Sequence, residues 1–371
     1  MNEAFIADER LAAVDRALPQ GDRVFKALRA ETGADALFVS DETYKRYVAS
    51  FLTEGGYALV DETGVKLFTD ARYIEAAKKI LTPLGVCVQT LSKENAPEAY
   101  LSRYKKVGVP FSEISHAEFL SLQKSGAQFV DASAAIRSCA CVKTKEEIAM
   151  IRRACDFAEE GLLRTLPQIR EGMSERELAA VLENEMRSLG ADGTSFDTIV
   201  AFGAGAAVPH HETDDTKLRY GDPVLIDFGC RVGGYCSDMT RTFLFGDDGK
   251  HEAFKKSYRC VLGAHKEALS RIQEGMTGGE ADAIARDYLS SCGYGGYFTH
   301  SLGHGIGLKV HEFPSLRPGN NEPLKNGMVF SDEPGVYIAG EFGIRIEDTV
   351  AMIDGKACTL MKKVGKELIV L

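Results

Sequence analysis

Two hydrophobic periodicities alternate along the first third of the chain. Over residues 8–32 apolar positions recur at helical spacing, which predicts an amphipathic helix broken near Pro19. Short apolar runs come next, ADALFVS (34–40), GYALVD (56–61) and VKLFTD (65–70), each read as a strand. ARYIEAAKKI (71–80) returns to helical spacing, and VCVQTL (86–91) and KVGVP (106–110) are strands again. Interleaved strands and helices predict an α/β layer over residues 1–140. The pattern changes across IRSCACVKTKEEI (136–148), which marks a crossing into a second domain, residues 141–371. There Thr144, with Glu147 three residues on, is a capping-box signature that opens a long helix to about Leu166.

The second domain repeats itself. IREGMSERELAAVLENEMRSLG (169–190) and IQEGMTGGEADAIARDYLSSCG (272–293) align without a gap at an offset of 103 residues. Each carries the turn EGM, then Ser174 or Thr277 as an N-cap, with Glu177 or Glu280 at the capping-box position. A duplicated unit is the expectation.

Composition narrows the class. A chain of 371 residues is long for one hydrophobic core, so two domains are expected. The net charge of -10 argues against nucleic acid or an anionic membrane surface as partner. No window approaches the ~18–20 apolar residues of a membrane span. The N-terminus lacks the basic and then apolar pattern of a signal peptide. Nine cysteines, odd in number and without a CxxC pair, fit reduced thiols in a cytoplasm.

The segment after each repeat carries the candidate chemistry. In DPVLIDFGCRVGGYCSDMTRTFLF (222–245), Asp227 sits inside an apolar strand, where an unpaired carboxylate is costly. A hairpin about Val232 and Gly233 would set Asp227 opposite Asp238. In GMVFSDEPGVYIAGEFGIRIEDTVAMI (327–353), a hairpin about Gly340 would set Glu333 opposite Glu347. Facing side chains lie about 4.5–5.5 Å apart at Cβ, so each pair of acids repels unless a cation lies between. The stretch HSLGHGIGLKVHE (300–312) adds three histidines among glycines that let the backbone approach a ligand closely. Four carboxylates and one imidazole form a mainly oxygen donor set suited to Mn²⁺, Co²⁺, Fe²⁺ or Zn²⁺. Two divalent ions would nearly balance the four carboxylates and one bridging hydroxide.

At these residues the chain resembles the metallopeptidase family of Xaa-Pro dipeptidase (prolidase), aminopeptidase P, methionine aminopeptidase and creatinase. The matching pieces, in family order, are DFG (227–229), SDMTRTF (237–243), GHGIGL (303–308), VHEFP (310–314), EPGVY (333–337) and GIRIEDT (343–349). The resemblance implies an α+β pita-bread catalytic domain with an internal pseudo-twofold repeat, behind a ribonuclease-H-like α/β domain of creatinase N-terminal type. It implies two divalent metal ions, Mn²⁺ first, with Co²⁺ or Zn²⁺ as alternatives. Asp227 would chelate one metal, Asp238 and Glu347 would bridge both, and His304 and Glu333 would complete the other shell. Glu333 would also carry the proton. His210 matches a histidine near the substrate, His300 and His311 match histidines that steady the tetrahedral intermediate and the peptide, and Arg345 and Tyr337 match supporting positions. His211, His116, His251 and His265 have no match and read as surface or packing residues. Two departures stand out. Ser301 and Leu302 replace a Gly-rich lead-in, and Asp332 precedes Glu333 where an apolar residue is common; alternation turns Asp332 away from the site.

The expected activity is hydrolysis of the Xaa-Pro bond of dipeptides by a metal-bridging hydroxide, in a cytoplasmic homodimer acting on short proline-containing peptides. The alternatives are an aminopeptidase P acting on longer peptides and, from another class, a pita-bread module that binds peptides without cleaving them. Arg345 is the expected partner of a dipeptide's carboxylate.

Overall fold

Residues 16–371 are described in this computed structural model. They divide into two compact units, Arg16–Ala140 and Cys141–Leu371. The predicted helix over 8–32 is seen as Gly21–Thr32, ended by Gly33 in a left-handed conformation; its residues 8–15 lie outside the described part.

The first unit is a mixed six-stranded sheet. Its strands are β1 (Ala36–Val39), β2 (Tyr57–Asp61), β3 (Gly64–Thr69), β4 (Cys87–Thr90), β5 (Lys106–Val109) and β6 (Gln128–Asp131), in the order β4-β3-β2-β1-β5-β6. The most apolar runs, β1 and β2, lie at its centre because both their faces are covered. Tyr57 and Phe68 pair across β2 and β3 and stack at 4.4 Å, within an apolar core that includes Phe38 and Tyr100. The helix read over 71–80 runs Ile74–Leu81.

The second unit is built twice from one plan. A long helix (Lys145–Thr165, then Glu252–Arg271) packs on a shorter one (Glu175–Ser188, then Gly278–Ser291), and each pair leads into a sheet. Both shorter helices start with a complete capping box, at Ser174–Glu177 and Thr277–Glu280. Both N-caps also bridge a later segment, Ser174 to Lys217 and Thr277 to Pro323. The strands are β7 (Gly193–Thr194), β8 (Ile199–Phe202), β9 (Pro223–Phe228), β10 (Cys230–Val232), β11 (Tyr235–Cys236) and β12 (Met239–Leu244) in the first copy. In the second they are β13 (Gly303–Gly305), β14 (Glu312–Leu316), β15 (Val329–Asp332), β16 (Gly335–Ile338), β17 (Phe342–Arg345), β18 (Asp348–Ile353) and β19 (Lys356–Thr359). The main sheets run β12-β9-β8 and β14-β13-β15-β18-β19. No helix of the described residues is long and apolar enough to cross a membrane.

The two hairpins differ in how they meet expectation. In the second, Gly335 pairs with Arg345 and Asp332 with Asp348, the register of a turn about Gly340, so Glu333 and Glu347 occupy the facing positions between. In the first, the turn lies at Gly233–Gly234, both with positive φ, and Asp227 faces Thr240 rather than Asp238. The two-residue slip keeps Asp227 and Asp238 on one face, because side chains alternate with period two. They meet diagonally.

Candidate functional site

Asp227 is the last but one residue of β9, among buried apolar neighbours, and Asp238 precedes β12 at 4% exposed. Glu347 precedes β18 at 2% exposed, and Glu333 follows β15. Asp227, Glu347 and Glu333 are each held through one carboxylate oxygen, and Asp238 through its main chain. Asp227 Oδ2 accepts from Arg345 Nη2 at 2.5 Å. Thr240 donates its hydroxyl to Glu347 Oε2 at 2.6 Å, and Ser331 donates to Glu333 Oε1 at 3.0 Å. Thr349 accepts from the Asp238 amide at 3.0 Å and donates to its carbonyl at 2.8 Å. The second oxygen of Asp227, Oδ1, is buried with no partner. That is costly for a carboxylate unless a cation meets it.

His304 comes from β13, whose flanking glycines lie against other main chain. A methyl at Gly303 would overlap the carbonyl of Ser331, and one at Gly305 the carbonyl of Phe313. His304 Nδ1 faces the carbonyl oxygen of Gly305 at 3.2 Å, an atom that can only accept, so the ring proton belongs on Nδ1. The Nε2 lone pair then points at Glu333 Oε1, 3.4 Å away, and Asp238 Oδ2, 3.6 Å away. Asp238, His304 and Glu347 offer ligand atoms that all lie within 4.8 Å of one another. An imidazole nitrogen and several carboxylate oxygens face one point, and this donor set fits divalent cations.

The electrostatics agree. Burial, and then the neighbouring carboxylates, push Asp238 and Glu347 well above the usual carboxylate range. Burial lifts Glu333 to about 8. Burial, with His311 beside it, lowers His304 to about 4, which keeps it neutral and fit to be a ligand.

These groups line a cavity of about 790 Å³ within the second unit, together with His210, His300, His311 and Arg345. Phe196, Ile199 and Pro209 give it an apolar wall. Tyr337 does not line the cavity; it stands behind it, 6% exposed, accepting from Arg345 Nη1 at 2.7 Å and donating to His300 Nε2 at 2.9 Å. His300 Nδ1 donates to the carbonyl of Ser301, so both its ring nitrogens are engaged. Burial, then Arg345, lowers His300 to about 4.

Two expectations need correction. Arg345 is not a free cation for a substrate carboxylate. Besides Asp227 and Tyr337 it donates to Thr240 and to the carbonyl of Pro209, and it is 3% exposed. His211 is not an ordinary surface residue: it lines the cavity, its Nε2 2.7 Å from the wholly buried Glu175. His265 is fully buried between Asp332 and Asp348. Thr240 and Thr349 were not among the expected site residues. Their signal was present in the chain, because each lies two residues after a site acid, on the same strand face.

Residues 149–354 match the family described as metallopeptidase family M24, and residues 23–142 match the creatinase/prolidase N-terminal domain. The chain is 36% identical over 309 residues to the Xaa-Pro dipeptidase of Pyrococcus furiosus, covering 83% of this chain and 87% of that protein. The structure of the Xaa-Pro dipeptidase from Bacillus anthracis superposes with a TM-score of 0.88 at 34% identity, over 95% of this chain and 100% of that one. The X-Pro aminopeptidase from Thermotoga maritima gives a TM-score of 0.87 at 33% identity, over 93% and 100%.

Proposed function

Because the chain belongs to metallopeptidase family M24, with a creatinase/prolidase N-terminal domain, we propose that it hydrolyses the Xaa-Pro bond of dipeptides at a pair of divalent cations held by Asp227, Asp238, His304, Glu333 and Glu347. The observation that carries this reading is the facing of the His304 Nε2 lone pair with Asp238 Oδ2 and Glu333 Oε1. The proposal takes residues 1–140 as the N-terminal domain and 141–371 as the catalytic one. It takes Mn²⁺ as the metal and a homodimer as the working assembly, both on the family likeness.

When bound, the ions supply Lewis-acid polarisation of the scissile carbonyl and a water of lowered pKa. The chain's own residues do the rest. Glu333, on the cavity wall beside His304, would take at its carboxylate the proton given up by the attacking water and pass it to the leaving proline nitrogen. His210 and His311 meet the peptide from the cavity wall, and Phe196, Ile199 and Pro209 receive apolar parts of the substrate and exclude water. The relay from Asp227 through Arg345 and Tyr337 to His300 keeps those side chains in one arrangement.

One observation favours the second reading, an aminopeptidase on longer peptides. Arg345 is the only arginine or lysine among the described cavity-lining residues, and four of its five N–H donors are spent within the protein. A dipeptide's carboxylate must then be met by the histidines. The test compares Ala-Pro, its C-terminal amide, an Ala-Pro tripeptide and Met-Ala, with Mn²⁺ added. We expect kcat/KM to fall by about 10²-fold or more from Ala-Pro to the amide and to the tripeptide, because histidines placed to meet a carboxylate are left unpaired without it. Comparable rates on all three proline substrates would establish the aminopeptidase, and preference for Met-Ala would sink both readings. Folded protein that binds these peptides without cleaving any would make the chain a binding module.

A further inference from the structure

Behind Glu333 and Glu347, on the far face of the same strand pair, lies a second polar cluster that the reaction does not use. Asp332 and Asp348 are registered opposite each other at the end of the β15–β18 ladder, and both are wholly buried. Glu333 and Glu347 occupy the next facing positions, so alternation sends the two glutamates to the cavity and the two aspartates to the helix behind. That helix, Glu252–Arg271, delivers His265 between them, itself 0% exposed. Its Nδ1 lies 3.1 Å from Asp332 Oδ2 and its Nε2 3.7 Å from Asp348 Oδ2.

The two aspartates are compensated unequally. Asp348 is ion-paired to Arg241 and to Lys366, each at 2.9 Å, and accepts from the Thr359 hydroxyl at 2.5 Å. Arg241 also donates to the carbonyl of Glu347 at 2.6 Å, which pins that strand directly. Asp332 has no such set. Neither of its oxygens accepts a hydrogen bond, and among the described residues the cation closest to it is His265. Burial alone would discharge an imidazole; here Asp332 and Asp348 outweigh it and hold His265 at about 9. Two sealed carboxylates facing across a ladder repel strongly unless a positive group stands between them.

We propose that His265 is a positioning residue for the metal centre: by clamping Asp332 to Asp348 it sets the spacing of the strand ends that carry Glu333 and Glu347. The inference rests on the proposed reading of those two glutamates as metal ligands. Without the clamp Asp332 repels Asp348 or takes up a proton; in either case the bridge that joins the two strand ends is lost, and the glutamates one position on are no longer held at their spacing. A site that must match two ions tolerates little such movement.

The test uses full-length protein stripped of metal, titrated with Mn²⁺ by calorimetry, with a melting curve for each variant. His265→Leu is expected to bind Mn²⁺ about tenfold to a hundredfold more weakly, the range found when groups that orient metal ligands are lost. His265→Gln keeps the volume and one donor but not the charge. It is the variant expected to fold well, with an affinity loss of about threefold to tenfold. The double variant His265→Leu/Asp332→Leu removes the repelling acid and is expected to recover both affinity and melting temperature, since a buried ion pair can give way to apolar packing. Native Mn²⁺ affinity in folded His265→Gln or His265→Leu, whatever the melting temperature, overturns the proposal and leaves His265 a purely structural residue. A wild-type chain that takes up no Mn²⁺, Co²⁺ or Zn²⁺ overturns the metal reading itself, and this inference with it.

Discussion

The hydroxyl of Thr240 donates to Oε2 of Glu347 at 2.6 Å, joining the first copy of the repeat to the acid of the second. The reverse contact is present too, since Thr349 of the second copy binds the main chain of Asp238 in the first. Each threonine lies two residues after its own copy's acid, so the duplication makes the halves hold each other's acids. This reciprocity explains how two buried, mutually repelling carboxylates keep their orientation. It yields a prediction. Thr240→Val, which keeps the shape and loses the donor, is expected to weaken Mn²⁺ binding by about tenfold to a hundredfold, and Thr240→Ser to restore most of it. Equal affinities for the three proteins, measured by calorimetry, would show that the threonine is packing only.

A second prediction separates ligand from support. Asp238→Ala and His304→Ala are expected to lose bound metal and at least ~10³-fold in turnover, because in the proposed reaction the nucleophile depends on the ions. His300→Ala, which breaks the contact with Tyr337 but removes no proposed ligand, should retain metal and lose about 10–10²-fold. Elemental analysis of the purified variants decides this. A metal-free His300→Ala beside a loaded His304→Ala would reverse the assignment.

The third prediction concerns pH and the metal-free protein. Glu333 is lifted from 4.5 to about 8 and Asp238 and Glu347 are raised as well, all chiefly by burial. The folded chain therefore holds protons that the unfolded chain has released. The stability linked to Glu333 is whole below about 4.5 and is lost as pH rises through about 8. His300 and His304, depressed to about 4, act in the opposite sense, but only below their ordinary value of 6.5. His265, raised to about 9, adds to the loss above 6.5. From about pH 6.5 to 8 these shifts all point one way, by up to ~1.4 kcal/mol per pH unit for each proton. The melting temperature of metal-free protein should fall across this window, and the increment given by Mn²⁺ should grow, because binding displaces those protons. A flat or rising metal-free curve would mean that the acids are already ionised and compensated by other groups.

Much of this arrangement is legible in the chain itself, for local reasons. A capping box is a contact between residues three apart, so the helix starts at Thr144, Ser174 and Thr277 can be read directly. The hairpin about Gly340 needs only a turn residue and period-two alternation, and it places Glu333 opposite Glu347. The first hairpin is harder to read, because its two adjacent glycines admit more than one turn position. Val232 and Gly233 predict Asp227 opposite Asp238, and the turn at Gly233–Gly234 moves the partner to Thr240. Even so the face is right, since a slip of two residues leaves it unchanged.

By itself, then, the sequence determined which side chains share a strand face, where the duplicated helices begin, and that acids and an imidazole converge. Only the tertiary structure decided which charge compensates which. That Arg345 is spent on Asp227 and Tyr337, that His211 meets Glu175, and that His265 stands between Asp332 and Asp348 are contacts between elements far apart in the chain. Periodicity assigns a residue to a face. It carries no information about what packs against that face, and the energy of a buried charge is set by that neighbour.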